Sequence, residues 1–212
     1  NADIGIAFDG DGDRVIMVDE DGTLVDGDQL LYLIMQFYIK EGYEFGGVVG
    51  THMTNLAFEE KCKMQSIPFA RANVGDRYVS EELDRRKWIL GGENSGHILV
   101  KNLHSTGDGI ISALQVLSYL VKNKKSLKSA LTDIQLYPQI LINIPTENKV
   151  NLKSKTVKNA IKESEVIMKG KGRILIRASG TQPLVRVMTE GPLRKDVLKA
   201  AKFLTEKIKE II

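Results

Sequence analysis

At 212 residues the chain is long enough for one large domain or two small ones. Its 42% hydrophobic and 27% charged content is ordinary for a soluble globular protein, and 30 Lys and Arg against 27 Asp and Glu leave +3, too mild a charge to argue for nucleic acid. No apolar run approaches the roughly 18 residues of a membrane span, no signal peptide is visible, and a single cysteine, Cys62, rules out an internal disulfide and suits a reducing cytoplasm.

The chain opens at Asn1 and enters a strand at once, so it is expected to be a piece of something longer. Ile4 to Phe8 and Val15 to Val18 are short apolar runs rich in β-branched residues, which predicts two strands. Asp19-Glu20-Asp21-Gly22 is a hairpin-type turn. Asp26 to Asp28 then precedes Leu30, Leu31, Leu33, Ile34, Phe37 and Tyr38, the spacing of a helix with a broad apolar face, an Asp cap and Gly42 as terminator. A buried strand at Val48-Val49, a helix over 55–65 holding Cys62 as a small packing residue, and a strand over 67–72 follow. The pattern then predicts a helix over 80–86, strands at Trp88 to Leu90 and Ile98 to Val100, a helix over 110–121 capped by Asp108, and a short helix over 127–134. Alternating strands and helices predict an α/β layer structure. The pattern changes around Tyr137-Pro138, where a domain boundary is placed. Beyond it come strands over 139–144, 173–177 and 184–188, with helices over 154–168 and from Lys195 to the end, a compact α+β unit.

The turn between the first two strands carries Asp9, Asp11 and Asp13 at alternate positions, followed by Arg14. Intervening glycines let such a turn aim all three carboxylates at one point, where they would repel unless a hard divalent cation joined them. All-oxygen ligands favour Mg2+ or Ca2+ over zinc. An EF-hand loop counted from Asp9 would find Glu20 at its last position, but Arg14 stands where that loop needs Gly, and strands flank it instead of helices. An ordinary polar turn takes one or two Asp, not three in alternation.

Three further segments gather chemistry. Val74-Gly-Asp-Arg-Tyr78 is a strand-to-helix turn, and a helix start with a capping Asp accounts for it when taken alone. Gly91 to His97 places acid, amide, hydroxyl and imidazole in one loop, a donor and acceptor set suited to a polyhydroxylated or amino-bearing ligand. Arg177 to Arg186 has the parts of an oxyanion clamp, with small residues, the hydroxyls of Ser179 and Thr181, and two arginines whose planar forks match phosphate. A plain turn with two exposed arginines accounts for it equally well.

In this order the segments resemble the alpha-D-phosphohexomutase superfamily. Asp9-Gly-Asp-Gly-Asp-Arg14 matches its metal loop, Gly92-Glu-Asn-Ser-Gly-His97 its sugar loop, and Arg177-Ala-Ser-Gly-Thr-Gln-Pro183 its phosphate loop. The turn at Val74 to Tyr78 and the Glu-Asn-Ser-Gly-His form are most similar to the bacterial branch that acts on glucosamine phosphates. The resemblance implies an α/β fold: a mixed-sheet domain of the superfamily's third-domain type, then a smaller α+β C-terminal domain like the TATA-binding protein. It implies that residues 1–24 end a second domain and carry the metal loop, that 25–136 form the third, and that 137–212 form the phosphate-binding domain.

The activity implied is an isomerase that interconverts glucosamine 6-phosphate and glucosamine 1-phosphate through a phosphoserine and a bisphosphate, feeding UDP-N-acetylglucosamine and the cell wall. Asp9, Asp11 and Asp13 would hold Mg2+, Arg14 would lie near the transferring group, and His97 would assist proton transfer. Gly75, Asp76, Arg77, Glu93, Asn94, Ser95 and His97 would meet the sugar, and Arg177, Ser179, Gly180, Thr181 and Arg186 the distal phosphate. The implied partners are the phosphosugar and missing N-terminal domains of the same enzyme, with neither nucleic acid nor membrane, and a homodimer is compatible. Two departures stand out. Gln182 replaces a customary Glu, and no Ser-His-Asn-Pro loop is present to supply the nucleophilic serine, so the chain alone is expected to be inactive. The alternatives are a phosphomannomutase or phosphoglucomutase, and a non-catalytic module that binds calcium or phosphosugar.

Overall fold

The computed structural model describes residues 2–146, 151–178 and 183–211. Its contacts divide the chain into two units, Asn1–Leu136 and Tyr137–Ile212. No helix of the described residues is long and apolar enough to cross a membrane.

The first unit begins with an antiparallel sheet in which β1 (Gly5–Phe8) pairs with β2 (Val15–Val18), and β2 with β3 (Leu24–Val25). Helix α1 (Gly27–Glu41) follows. Asp26 caps it in a reciprocal arrangement with Gln29, and Gly42 closes it in the left-handed conformation. Leu30, Leu31, Leu33, Ile34 and Met35 are all fully buried, each stabilising by roughly 1.5–3 kcal/mol relative to exposure. Next come β4 (Val48–Thr51), α2 (Leu56–Met64), β5 (Phe69–Ala72), α3 (Asp76–Arg86), β6 (Leu90–Gly92), β7 (Ile98–Val100), α4 (Gly109–Asn123) and α5 (Leu127–Ala130).

The second sheet has the order β5-β4-β6-β7, with β4 parallel to both neighbours and β7 antiparallel to β6. Val48 points into a core shared with α1 and α4, while its neighbour Val49 packs with Val79 and Leu83 of α3. The alternation of side chains along one strand thus builds helix, sheet and helix layers.

Three local expectations shift, the first being that the helix expected over 127–134 ends at Ala130. Helix α3 begins at Asp76 instead of Ser80, and Gly75, not Asp76, is its cap, with no side-chain bond. The strand expected at Trp88 starts at Leu90, because the Trp88 N–H donates to the Leu83 carbonyl at 3.0 Å and closes α3.

The second unit has the chain order β8 (Gln139–Pro145), α6 (Lys155–Ile167), β9 (Arg173–Ala178), β10 (Leu184–Glu190) and α7 (Arg194–Lys209). Its antiparallel sheet runs β8-β10-β9. Ile144, Val185, Val187 and Ile176 face a core closed by Val157, Ala160, Leu204 and Ile208 of the two helices. The opposite sheet face carries the row Asn143, Arg186 and Arg177, directly opposite one another across the three strands.

Candidate functional site

In the first unit the acidic turn and the loop between β6 and β7 are joined backbone to backbone. Arg14 and His97 form an isolated antiparallel bridge, and the Val15 N–H donates to the Gly96 carbonyl at 3.1 Å. The loop is internally closed, since the Glu93 N–H donates to the His97 carbonyl at 2.9 Å and the Gly96 N–H to the Glu93 carbonyl at 3.0 Å. Gly96 sits at φ 92°, and a Cβ there would lie 2.1 Å from the Val15 carbonyl oxygen, so only glycine permits this approach. Helix starts complete the frame. The Gly27 N–H of α1 donates to the Asn94 carbonyl at 3.1 Å, and the Gly109 N–H of α4 to the Gly12 carbonyl at 2.9 Å.

On this frame Asp9, Asp11 and Asp13 each offer an oxygen within 4.8 Å of the others. Three like charges that close repel by about 1 kcal/mol per pair even in water. Arg14 offsets part of this, with Nε 3.6 Å from both Asp9 Oδ2 and Asp13 Oδ1. Desolvation works against ionisation of Asp9, but the Arg14 N–H bond at 3.1 Å, the contact with Asp13 and the Arg14 charge together hold its carboxyl below the usual carboxylate range. An all-carboxylate donor set of this span fits a hard divalent cation such as Mg2+.

The remaining sequence candidates divide by unit. Glu93 Oε1 accepts the Gly75 N–H at 2.9 Å, which ties the Val74 to Tyr78 turn to the same loop. Asn94 is half-buried and Ser95 exposed. Asp76 and Arg77 are exposed on α3, where Arg77 Nε bonds Glu81 at 2.6 Å. His97 is buried, its Nδ1 3.2 Å from Asp13 Oδ2. Arg177 and Arg186 stand opposite each other in the second unit, and the Arg186 Nε is buried with no hydrogen-bond partner among the described residues. Like charges directly opposite on one sheet face are destabilising, and an anion would relieve both that repulsion and the orphaned donor. Ser179, Gly180 and Thr181 lie outside the described residues. Sequence reasoning missed the part played by Gly27, Gly107 and Gly109. Asp108 does cap α4, its Oδ1 accepting the Ile111 N–H at 2.9 Å, but the glycines on either side of it are in contact with the acidic turn or with His97. Their spacing within Thr106-Gly-Asp-Gly109 was the available signal.

Residues 26–137 match the family model for phosphoglucomutase/phosphomannomutase alpha/beta/alpha domain III, and residues 141–207 match that for the C-terminal domain of the same family. The chain belongs to the phosphoglucomutase/phosphomannomutase family. The phosphoglucosamine mutase of Proteus mirabilis is 49% identical over 211 residues, covering 99% of this chain and 47% of that protein. That of Methylobacillus flagellatus is 51% identical over 210 residues, covering 99% of this chain and 46% of its own. The chain therefore spans about half the length of the curated relatives it matches. The acidic turn precedes the first matched segment but falls within these alignments. In fold, the chain superposes on Aspergillus fumigatus N-acetylphosphoglucosamine mutase, solved in complex with GlcNAc-6P and magnesium, with a TM-score of 0.75 at 21% identity, over 96% of this chain and 51% of that one. The mixed sheet with helices on both faces, followed by a separate three-stranded unit, is thus the phosphohexomutase arrangement of third and C-terminal domains.

Proposed function

We propose that this chain is the cation-, sugar- and distal-phosphate-holding part of a mutase that interconverts glucosamine 6-phosphate and glucosamine 1-phosphate in the cytoplasm. The observation that carries the reading is the joining of two loops. The carboxylates of Asp9, Asp11 and Asp13 and the polar groups of Glu93, Asn94 and Ser95 stand on one backbone frame, bridged at Arg14 and His97. A phosphosugar held by the second loop therefore has one end beside the first.

Asp9, Asp11 and Asp13 would hold Mg2+, which when bound supplies positive charge beside the transferring phosphoryl group. Arg14, whose side chain is half exposed, adds a fixed positive charge beside the same carboxylates. Glu93 accepts hydroxyl or ammonium protons of the sugar, with Asn94 and Ser95 as further partners. Asp76 and Arg77 stand on the turn that Glu93 anchors and complete the sugar-facing rim. Arg177 and Arg186 hold the phosphate that does not react, whichever end of the sugar carries it. The phosphoryl group passes between a serine oxygen and a sugar hydroxyl. We infer that the serine is supplied by the part of the enzyme outside these 212 residues, since the sequence holds no Ser-His-Asn-Pro loop.

A coupled assay for glucosamine 1-phosphate tests this. The isolated chain is expected to give no turnover, and the chain joined to its serine-bearing half to turn over glucosamine phosphates ahead of glucose or mannose phosphates. Turnover by the isolated chain overturns the division of labour. Faster conversion of mannose or glucose phosphates overturns the substrate.

A further inference from the structure

The frame of the first unit repeats itself. Hairpin β1–β2 is followed by α1, and hairpin β6–β7 by α4. Each helix is 15 residues long, starts on an Asp-Gly pair and closes in the left-handed conformation. Each also starts on the loop of the other hairpin, Gly27 bonding Asn94 and Gly109 bonding Gly12. A Cβ on Gly27 would lie 2.1 Å from the Glu93 carbonyl oxygen, and one on Gly109 2.8 Å from that of Arg14. Setting Gly27 on Gly109 therefore puts the two helices in register, with Asp28, Tyr32 and Met35 matching Ile110, Leu114 and Leu117. On α1 these three positions are covered by α2 and its cap. Asp28 accepts the Asn55 N–H at 2.8 Å, Tyr32 meets Phe58 edge-on at 6.2 Å, and Met35 Sδ lies 3.7 Å from Cys62 Sγ. On α4 the matching face is bare: Ile110 is 59% exposed and Leu114 54%. Leu117 and Val121 continue the stripe, and the half-exposed Phe8 ring adjoins its start, 2.9 Å from the Cβ that Gly109 lacks. Positions 110, 114, 117 and 121 fall on one side of a helix, at the spacing of a seam that packs on another helix. A contiguous apolar surface of this kind marks an interaction site.

We propose that this stripe is covered, in the whole protein, by an apolar helix from the part that precedes this chain, seated on α4 as α2 is seated on α1. More than half of each curated relative lies outside the match, and the matched domains are the third and the C-terminal one, which puts the remainder ahead of them. The seam would tie the serine-bearing half to the helix that starts on the acidic turn, at Gly109. The inference does not depend on which sugar phosphate the enzyme turns over.

Alkylation of single introduced cysteines in the full-length enzyme tests this, followed by peptide mass so that each site is read by itself. Leu114→Cys is compared with Met64→Cys, which replaces a 75% exposed side chain on α2. Each rate is divided by its own value in urea. Leu114→Cys is expected to react about 100-fold more slowly than Met64→Cys, because a docked seam opens only by local unfolding. The protection should hold at every enzyme concentration. Equal rates in the native enzyme overturn the proposal. Protection that vanishes on dilution, as the mass by light scattering falls to that of a monomer, gives the stripe to a second copy and overturns it too. Should Leu114→Cys fail to fold, Ile110→Cys gives the same reading.

Discussion

The two units prepare for a ligand in opposite ways. In the first, the charged turn is held by backbone bonds to two other segments, through Gly96 and His97 and through Gly109, so the carboxylates are placed before anything binds. In the second, two arginines face each other across β9 and β10 with no carboxylate paired to either among the described residues. The first unit places its carboxylates by backbone bonds, whereas the second sets two guanidiniums opposite each other, a repulsion that an anion would relieve. Under the proposed function that asymmetry would serve a mutase that accepts either phosphate of a bisphosphate: the carboxylate turn would need exact placement, and the paired arginines only charge and reach.

The comparison breaks most plainly at Gly96. Gly96→Ala adds a Cβ 2.1 Å from the Val15 carbonyl at a left-handed φ of 92°, so both strain and clash fall on the joint between the loops. The expected cost is several kcal/mol, near the upper end for single substitutions. Trp88 is the only tryptophan and lies in the first unit, so its fluorescence in urea reports this loss without interference from the second. A midpoint unchanged from wild type would mean that the loops are not rigidly joined.

Arg186→Gln probes the other side. Removing one of two opposed guanidiniums is expected to leave the second unit as stable or up to about 1 kcal/mol more so, by far-UV melting. Binding of glucosamine 6-phosphate should weaken about 10-fold or more, the effect of losing a charge-assisted bond of roughly 1.5–3 kcal/mol. Loss of stability without loss of binding would reverse the assignment of the two units.

What the sequence disclosed follows the range of the forces involved. Caps at Asp26 and Asp108 were legible because a side chain bonding an amide three residues on is a local event. The three carboxylates were legible because alternation in a turn is local too. Trp88 misled because its apolar bulk favours a strand, while its N–H is used by the helix behind it. The burial of His97 and the close approach of Gly107 were not legible, since the ring and the turn that covers it come together only through the packing of α4. The opposition of Arg177 and Arg186 depends on strand register, which spacing alone does not fix.

A second pair of arginines sharpens the contrast on the smallest scale. Arg85 and Arg86 at the end of α3 are also adjacent cations, but both bond Glu82, at 2.6 Å each. The Arg85 and Arg86 hydrogen bonds depress the Glu82 carboxyl from 4.5 to about 2. A depressed folded value means that the stabilisation is present above the unfolded value of 4.5 and is lost as pH falls towards 2. Surface exposure of Arg85 screens the pair, so Glu82→Gln is expected to lower Tm by no more than a few degrees at neutral pH and by nothing near pH 2. The shift should shrink as salt is added. Arginines that already own a carboxylate have little left to offer an anion, so phosphate should raise the stability of the second unit while leaving α3 indifferent. If phosphate instead protected the first unit through Arg85 and Arg86, the lack of a carboxylate beside Arg177 and Arg186 among the described residues would not be what selects the anion.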